Sequence, residues 1–393
     1  MPGRRPRLVQ ARRVAGLTQE DLAHRVGVDR STVGRWESGE TVPQPWARRK
    51  LAALLDITAA RLDGLLERDV ATEPAPRADD EIEALELARR ASASDVGEAT
   101  LTQLELAVDD LATDYATWDP AALLDHTRQH LRYVGQLLDA RKTLGEHRRL
   151  LVVGAWMSLL GATLHVDLLQ QRPAVARLRT AESLAREGGQ EEIRAWCLET
   201  EAWRVLTLGD YPRAAQLALG AQQLAPCHSS ALIQATAQEG RAWARLGDVH
   251  NTQRVVDRVN RMVSPLVRPD RPEHHYHYDP AKATSYTATT LSWVGDPAAV
   301  DFAREVIATL SADEAHGGRP RRLAVARLDL ALALIGQGQV DEAVRSALDA
   351  VESGRVAPSN RWRALEVVRA VESAGTRIAV PLREAYRELV RSP

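Results

Sequence analysis

Residues 17–40 read LTQEDLAHRVGVDRSTVGRWESGE, a stretch rich in hydrogen-bonding side chains: Gln19, Arg30, Ser31, Thr32, Arg35 and Ser38. An arginine fork gives two hydrogen bonds at once to O6 and N7 of guanine. Amides, hydroxyls and the free N–H groups of a helix N-terminus suit phosphate oxygens. A second chemically able stretch lies far downstream at 269–282, PDRPEHHYHYDPAK, with three histidines and two tyrosines at 274–278. There Glu273, His274, His275, His277 and Tyr278 are candidate ligand contacts. Consecutive side chains of an extended loop point opposite ways, which argues against one tight metal site.

The upstream donors need rigid elements to hold them. Thr18 is a good N-cap with Asp21 three residues on, so a helix starts at Gln19. Leu22, Ala23 and Val26 share its inner face, and Gly27 can take the left-handed conformation that stops it. Asp29 then caps a second helix over 30–37, whose apolar side is Val33 and Trp36, with Val28 beside it. Only Val28 separates Gly27 from that cap, so the helices cross steeply with small Ala23 where they touch. Arg30, Ser31, Thr32, Gly34 and Arg35 are left facing outward. A first helix is expected over 7–15. Two more follow: 45–55 with Trp46, Leu51, Leu54 and Leu55 inward, and one after Thr58 with Leu62, Leu65 and Leu66 inward. Arg48, Arg49 and Lys50 read as a solvated face.

This register resembles the Cro/C1-type (Xre-type) helix-turn-helix repressor head. The resemblance rests on Leu17-Thr18-Gln19, Leu22-Ala23, Val26-Gly27-Val28, Ser31-Thr32-Val33 and Trp36-Glu37-Ser38-Gly39. It implies a five-helix domain over 1–66 that binds DNA through its third helix. Arg30, Ser31 and Arg35 would then read bases, and Gln19, Thr32 and Ser38 would meet phosphates. Arg12 and Glu37 would form a buried structural ion pair. Gly34 departs from the larger polar residue usual there, leaving one base position unread.

Charge is divided along the chain. The 393 residues carry a net −2, but residues 1–50 hold +6 and the remainder −8. A basic head on an acidic body fits a nucleic-acid-binding module joined to a sensor. Residues 67–80, ERDVATEPAPRADD, are Pro-rich and lack an apolar period, as a linker does. From residue 81 no strand pattern occurs. Gly-Asp turns at 209, 247 and 295 and Gly-Gln turns at 336–339 alternate with helical stretches; the first three are 38 and 48 residues apart. Gly209-Asp210-Tyr211 resembles the turn of a tetratricopeptide repeat, whose period is about 34 residues.

The expected architecture is therefore all-α. Residues 81–143 form a helical connector or cap, a candidate dimerisation region, and 144–393 a tetratricopeptide-like α-solenoid of five or six hairpins. The layout resembles actinobacterial Xre-type regulators with such a sensor body, and in architecture the peptide-responsive quorum-sensing regulators.

Within the body, Trp203, Trp243 and Arg241 sit on first helices of hairpins, where an inner surface would meet a ligand. Arg194, Arg204 and Arg245 share those helices. His126 and His130 have metal-compatible spacing without a third ligand, and Cys197 and Cys227 lack zinc or CxxC spacing. No metal site, cofactor or catalytic motif is expected, hence no enzyme. The basic start has no apolar core behind it, and the apolar run at 150–166 fits a buried helix, so a cytoplasmic protein with no membrane span is expected. The function these features imply is a transcription regulator. It would bind a palindromic DNA operator as a homodimer under a small-molecule or peptide effector; the alternative is an adaptor or antitoxin-like regulator answering to a protein partner.

Overall fold

The computed structural model describes residues 5–66, 86–312, 319–375 and 379–391. The stretch 67–80 read as a linker lies outside them. Among the described residues the regular structure is helical, with no strand. Two compact units separate, Met1–Arg90 and Ala91–Pro393.

The first unit holds α1 (Pro6–Val14), α2 (Gln19–Val26), α3 (Arg30–Glu37), α4 (Pro45–Leu54) and α5 (Ala59–Leu66). A reciprocal capping box opens α2: Thr18 Oγ1 accepts the Asp21 N–H (3.1 Å) and the Asp21 carboxylate accepts the Thr18 N–H (2.9 Å). Gly27, at φ +88°, ends it. Asp29 occupies the cap position of α3 in extended backbone, but its side chain makes no capping hydrogen bond. Leu8, Leu22, Val26, Val33, Trp36, Leu51 and Leu62 form the core.

One inward assignment does not hold. Trp46 is 53% exposed and Leu54 only half-buried, while Ala47 is fully buried. Because α4 starts at Pro45, the row 47, 51, 55 faces the core, and Trp46 lies one position, about 100°, away. Lys50 lies over the Trp46 ring at 5.6 Å and its Nζ donates to the Val26 carbonyl at 3.2 Å, satisfying the C-terminal end of α2.

The second unit begins with α6 (Glu98–Asp114) and α7 (Pro120–Asp139), which pack on the first of six helical hairpins among the described residues. These hairpins are α8/α9 (Leu144–Asp167, Gln171–Gly188), α10/α11 (Glu191–Thr207, Tyr211–Leu224) and α12/α13 (Ser230–Arg245, Val249–Val263). The other three are α14/α15 (Pro280–Val294, Ala299–Ala312), α16/α17 (Pro320–Gly336, Val340–Glu352) and α18/α19 (Arg361–Ser373, Ala379–Arg391). Successive first helices from α10 on pack side by side, as in an α-solenoid.

Gly209, Gly247, Gly295 and Gly338 all turn at positive φ, 74–87°. In the first hairpin Leu169 does so instead, at φ +59°, which hid that turn from a glycine-based reading. Second helices present alanines inward, such as Ala214, Ala218 and Ala221 of α11 and Ala343, Ala347 and Ala350 of α17, so backbones approach closely. Helix α8 is long and apolar enough to cross a membrane, yet most of its apolar stretch is buried in the protein.

The solenoid closes on itself. The short turn Pro358–Asn360 before α18 reaches back to the end of α8, where Ser359 Oγ donates to Asp167 Oδ1 at 2.6 Å. The loop between α13 and α14 meets α6: the His275 N–H donates to the Ala112 carbonyl (3.0 Å), and Arg271 pairs with Asp110 (2.9 Å).

Candidate functional site

On the first unit, α3 buries Val33, Trp36 and Glu37 and leaves Arg30, Ser31 and Arg35 exposed; Thr32 and Ser38 are half-buried. Arg30 and Ser31 open the second helix of the motif, whose N-terminal part enters a major groove in proteins of this type, and Arg35 lies one turn further on. A side chain at Gly34 would meet nothing within 4 Å. Beneath this face Arg12 Nε donates to Glu37 Oε1 at 2.6 Å and Arg12 Nη1 to the Leu17 carbonyl at 2.7 Å, both residues being buried.

Gln19 joins the same network, its amide donating to Glu37 Oε2 at 2.6 Å. Its side chain is thus held by Glu37. Ser38 Oγ donates to the Arg35 carbonyl. Sequence reasoning missed Arg5, which is 4% exposed and donates to the Trp36 and Thr41 carbonyls (3.0 and 2.9 Å), pinning the segment that leaves α3.

In the second unit the inner faces of α10, α12, α14, α16 and α18 surround a cavity of about 230 Å³. Trp203, Arg241 and His275, expected as ligand contacts, line it. His274 and His277 do not: their rings stack at 3.8 Å on the other side of the loop, with His274 Nε2 3.4 Å from Asp109. The alternation along the extended loop separates them from His275. Tyr278 is buried in a small cluster with Ile233 and Val259, and Trp243 packs between hairpins, its indole N–H donating to Glu239. Arg194 and Arg204 pair with glutamates of their own helices, Glu191 and Glu201. Arg245 pairs with Glu366 (2.7 Å) among the rings of Tyr211, Trp293 and Trp362.

Most of the cavity's charge was not anticipated. Six cations line it, Arg241, Lys282, Arg319, Arg321, Arg322 and Arg363, against four carboxylates, Asp167, Glu199, Glu273 and Asp329. Some are matched: Arg319 with Asp279 (3.1 Å), Arg363 with Asp329 (3.2 Å) and, loosely, Arg321 with Asp167 (3.7 Å). Lys282 Nζ instead donates to the carbonyls of His274, His275 and His277, at 3.0, 3.0 and 2.5 Å, and so clamps the histidine loop.

Burial, then Arg322, draws the Lys282 ammonium down to about 7, while Asp279 opposes; the three carbonyls also favour its charged form. Burial pushes the Glu199 carboxyl up to about 7, against the amide of Gln234, which donates to it at 2.9 Å. Burial, then Lys282, holds His275 neutral far below the usual imidazole range, and burial lowers Arg322 and Arg363 to about 10.

Among the described residues no group of three potential metal ligands forms. His126 is exposed and His130 half-buried, one turn apart. Cys197 is buried, its thiol pushed up to about 12, and Cys227 is exposed.

Residues 7–65 match a family model described as a helix-turn-helix domain, and the first unit is such a domain. No curated protein sequence matches the chain. Three solved structures are similar in outline. One is Bacillus thuringiensis PlcR in complex with the peptide PapR7 and DNA, 12% identical over 90% of this chain and 95% of that one, TM-score 0.32. Another is the apo form of the competence regulator ComR from Streptococcus vestibularis, 12% identical over 93% and 97%, TM-score 0.34. The third is the tetratricopeptide domain of P58(IPK), 14% identical over 94% of each chain, TM-score 0.25.

Proposed function

We propose that this protein is a DNA-binding transcription regulator whose head reads an operator through α3 and whose helical body receives a small effector. The observation that carries the reading is the face of α3. Arg30, Ser31 and Arg35 are exposed together on the second helix of a helix-turn-helix domain, while the buried Arg12–Glu37 pair fixes that helix from behind. Arg30 and Arg35 supply forks for guanine, and the α2 N-terminus supplies N–H groups for phosphate.

The cavity among the first helices supports a small effector, which a recess of this volume can take in between charged and aromatic side chains. One head covers few base pairs. A homodimer on a palindrome with half-sites about 34 Å apart, or a multiple, supplies the missing affinity. An effector acts by binding one state of the body better than the other, and shifts the equilibrium only by that difference in affinity.

The test is selection of bound sequences from random duplex DNA by the purified full-length protein at two salt concentrations. A palindromic motif whose affinity falls steeply with salt is expected. Recovery of no motif by both the full chain and residues 1–70 would sink the DNA-binding reading.

A further inference from the structure

The cavity in the second unit has more positive charge than it can neutralise, and several of its guanidinium nitrogens are buried from solvent without an acceptor. Arg241 is 8% exposed and has no carboxylate within 4 Å among the described residues; its Nη1 donates to Gln238, and its Nε has no acceptor. Arg322 donates through Nη2 to the Ala281 carbonyl (3.2 Å) and Ser285 Oγ (3.0 Å), and its Nη1 has no acceptor. Both terminal nitrogens of neighbouring Arg321 lack a hydrogen bond, its nearest carboxylate being Asp167 at 3.7 Å. Lys282 is satisfied only by carbonyls.

Arg241 stacks on Tyr286 and Trp293 and Arg321 on Tyr115, but ring faces take up none of the in-plane N–H groups, and buried guanidinium nitrogens without acceptors cost stability. Such donors are satisfied at no extra cost by an anion that brings its own lone pairs, and a planar fork suits carboxylate or phosphate oxygens best. Trp196, Trp203, Tyr115 and Tyr286 add aromatic faces to the wall, and these favour an organic body beside the charged group. We infer that the effector is a small organic anion, carrying carboxylate or phosphate, held by Arg321 and Arg322 from α16 with Arg241 from α12. This rests on the reading of the body as a sensor. A cavity of about 230 Å³ sets the size at that of a metabolite.

The test uses the full-length protein with citrate and pyrophosphate as probes, each against sodium chloride at matched ionic strength, and reads the unfolding midpoint by intrinsic tryptophan fluorescence. The wild type is compared with the double variant Arg321→Gln/Arg322→Gln, and with Arg241→Gln on a separate helix should the double variant fail to fold. Either probe at millimolar concentration is expected to raise the wild-type midpoint above the chloride control, with the variants needing at least tenfold more anion for the same shift. A stronger response to citrate assigns a carboxylate effector, and to pyrophosphate a phosphate. No anion-specific shift, or an equal shift in the variants, overturns the inference; the equal shift would place the anion on the basic head. DNA binding is measured on the same samples. Absence of DNA binding with and without anion, while the anion response is intact, defeats the proposed function alone, and DNA binding without any anion response defeats this inference alone.

Discussion

Glu37 shows how one residue serves two tasks. It is 6% exposed, accepts from Arg12 on one oxygen and from Gln19 on the other, and lies at the end of the helix that exposes Arg30, Ser31 and Arg35. Removing either partner of a buried pair strands the other charge, at a cost on the order of 3–5 kcal/mol, so this pair belongs to stability rather than recognition. The exposed arginines carry no such burden. Arg30→Ala and Arg35→Ala are each expected to leave folding intact and to lose about 1–3 kcal/mol of discrimination at one base position. Gln19→Ala is expected to weaken all sequences about equally. Competition binding against single-base operator variants separates the two patterns. Unchanged base preference in both arginine variants would show that the register of α3 on DNA is wrong.

At the scale of elements, the loop between α13 and α14 carries histidines that burial holds neutral. His274 is lowered to about 3 by burial, then by His277, and His275 lies well below the ordinary value of 6.5. Between pH 6.5 and the folded value the unfolded chain binds protons that the folded loop does not. These histidines therefore favour the fold above about pH 6.5, and that contribution is lost as pH falls below it. The unfolding midpoint is expected to drop between pH 7 and pH 5. His275→Phe, which keeps a ring beside Tyr115 (4.3 Å) and Tyr276 (4.8 Å), should shallow that slope. An identical slope in the variant would assign the acid sensitivity to other groups.

For the second unit taken whole, Asp167 is the closing residue. It is 2% exposed and accepts from Tyr115 at the end of α6 (2.8 Å) and from Ser359 before α18 (2.6 Å), with Arg321 nearby. Each charge-assisted bond is worth about 1.5–3 kcal/mol, a large fraction of what holds the first and last hairpins together. Asp167→Ala is expected to speed amide hydrogen exchange around 112–118 and 357–363 more than within the hairpins between them. Uniform exchange across the unit would mean that closure does not depend on this residue.

What the sequence determined by itself is local. The capping box at Thr18, the stop at Gly27, the short turn before Arg30 and the glycine turns at 209, 247, 295 and 338 are set by residues within a few positions of one another, so type and spacing suffice to read them. Outward Arg30, Ser31 and Arg35 follow from helical period alone. Trp46 shows the limit: its type suggested the core, but the phase of α4, set by Pro45, turned it outward. Leu169 shows another, since a turn made without glycine leaves no mark. The cavity was decided only by the tertiary structure. Arg241 could be singled out by its place on a first helix, but Lys282, Arg321 and Arg322, some forty to eighty residues further on, have nothing in their immediate neighbours to set them apart from surface cations. They meet because each first helix of the stack contributes its inner face, and because Asp167 and Ser359, 192 positions apart, draw the two ends together. Charge in a solvated chain is cheap at any position; it becomes informative only where folding removes the water around it.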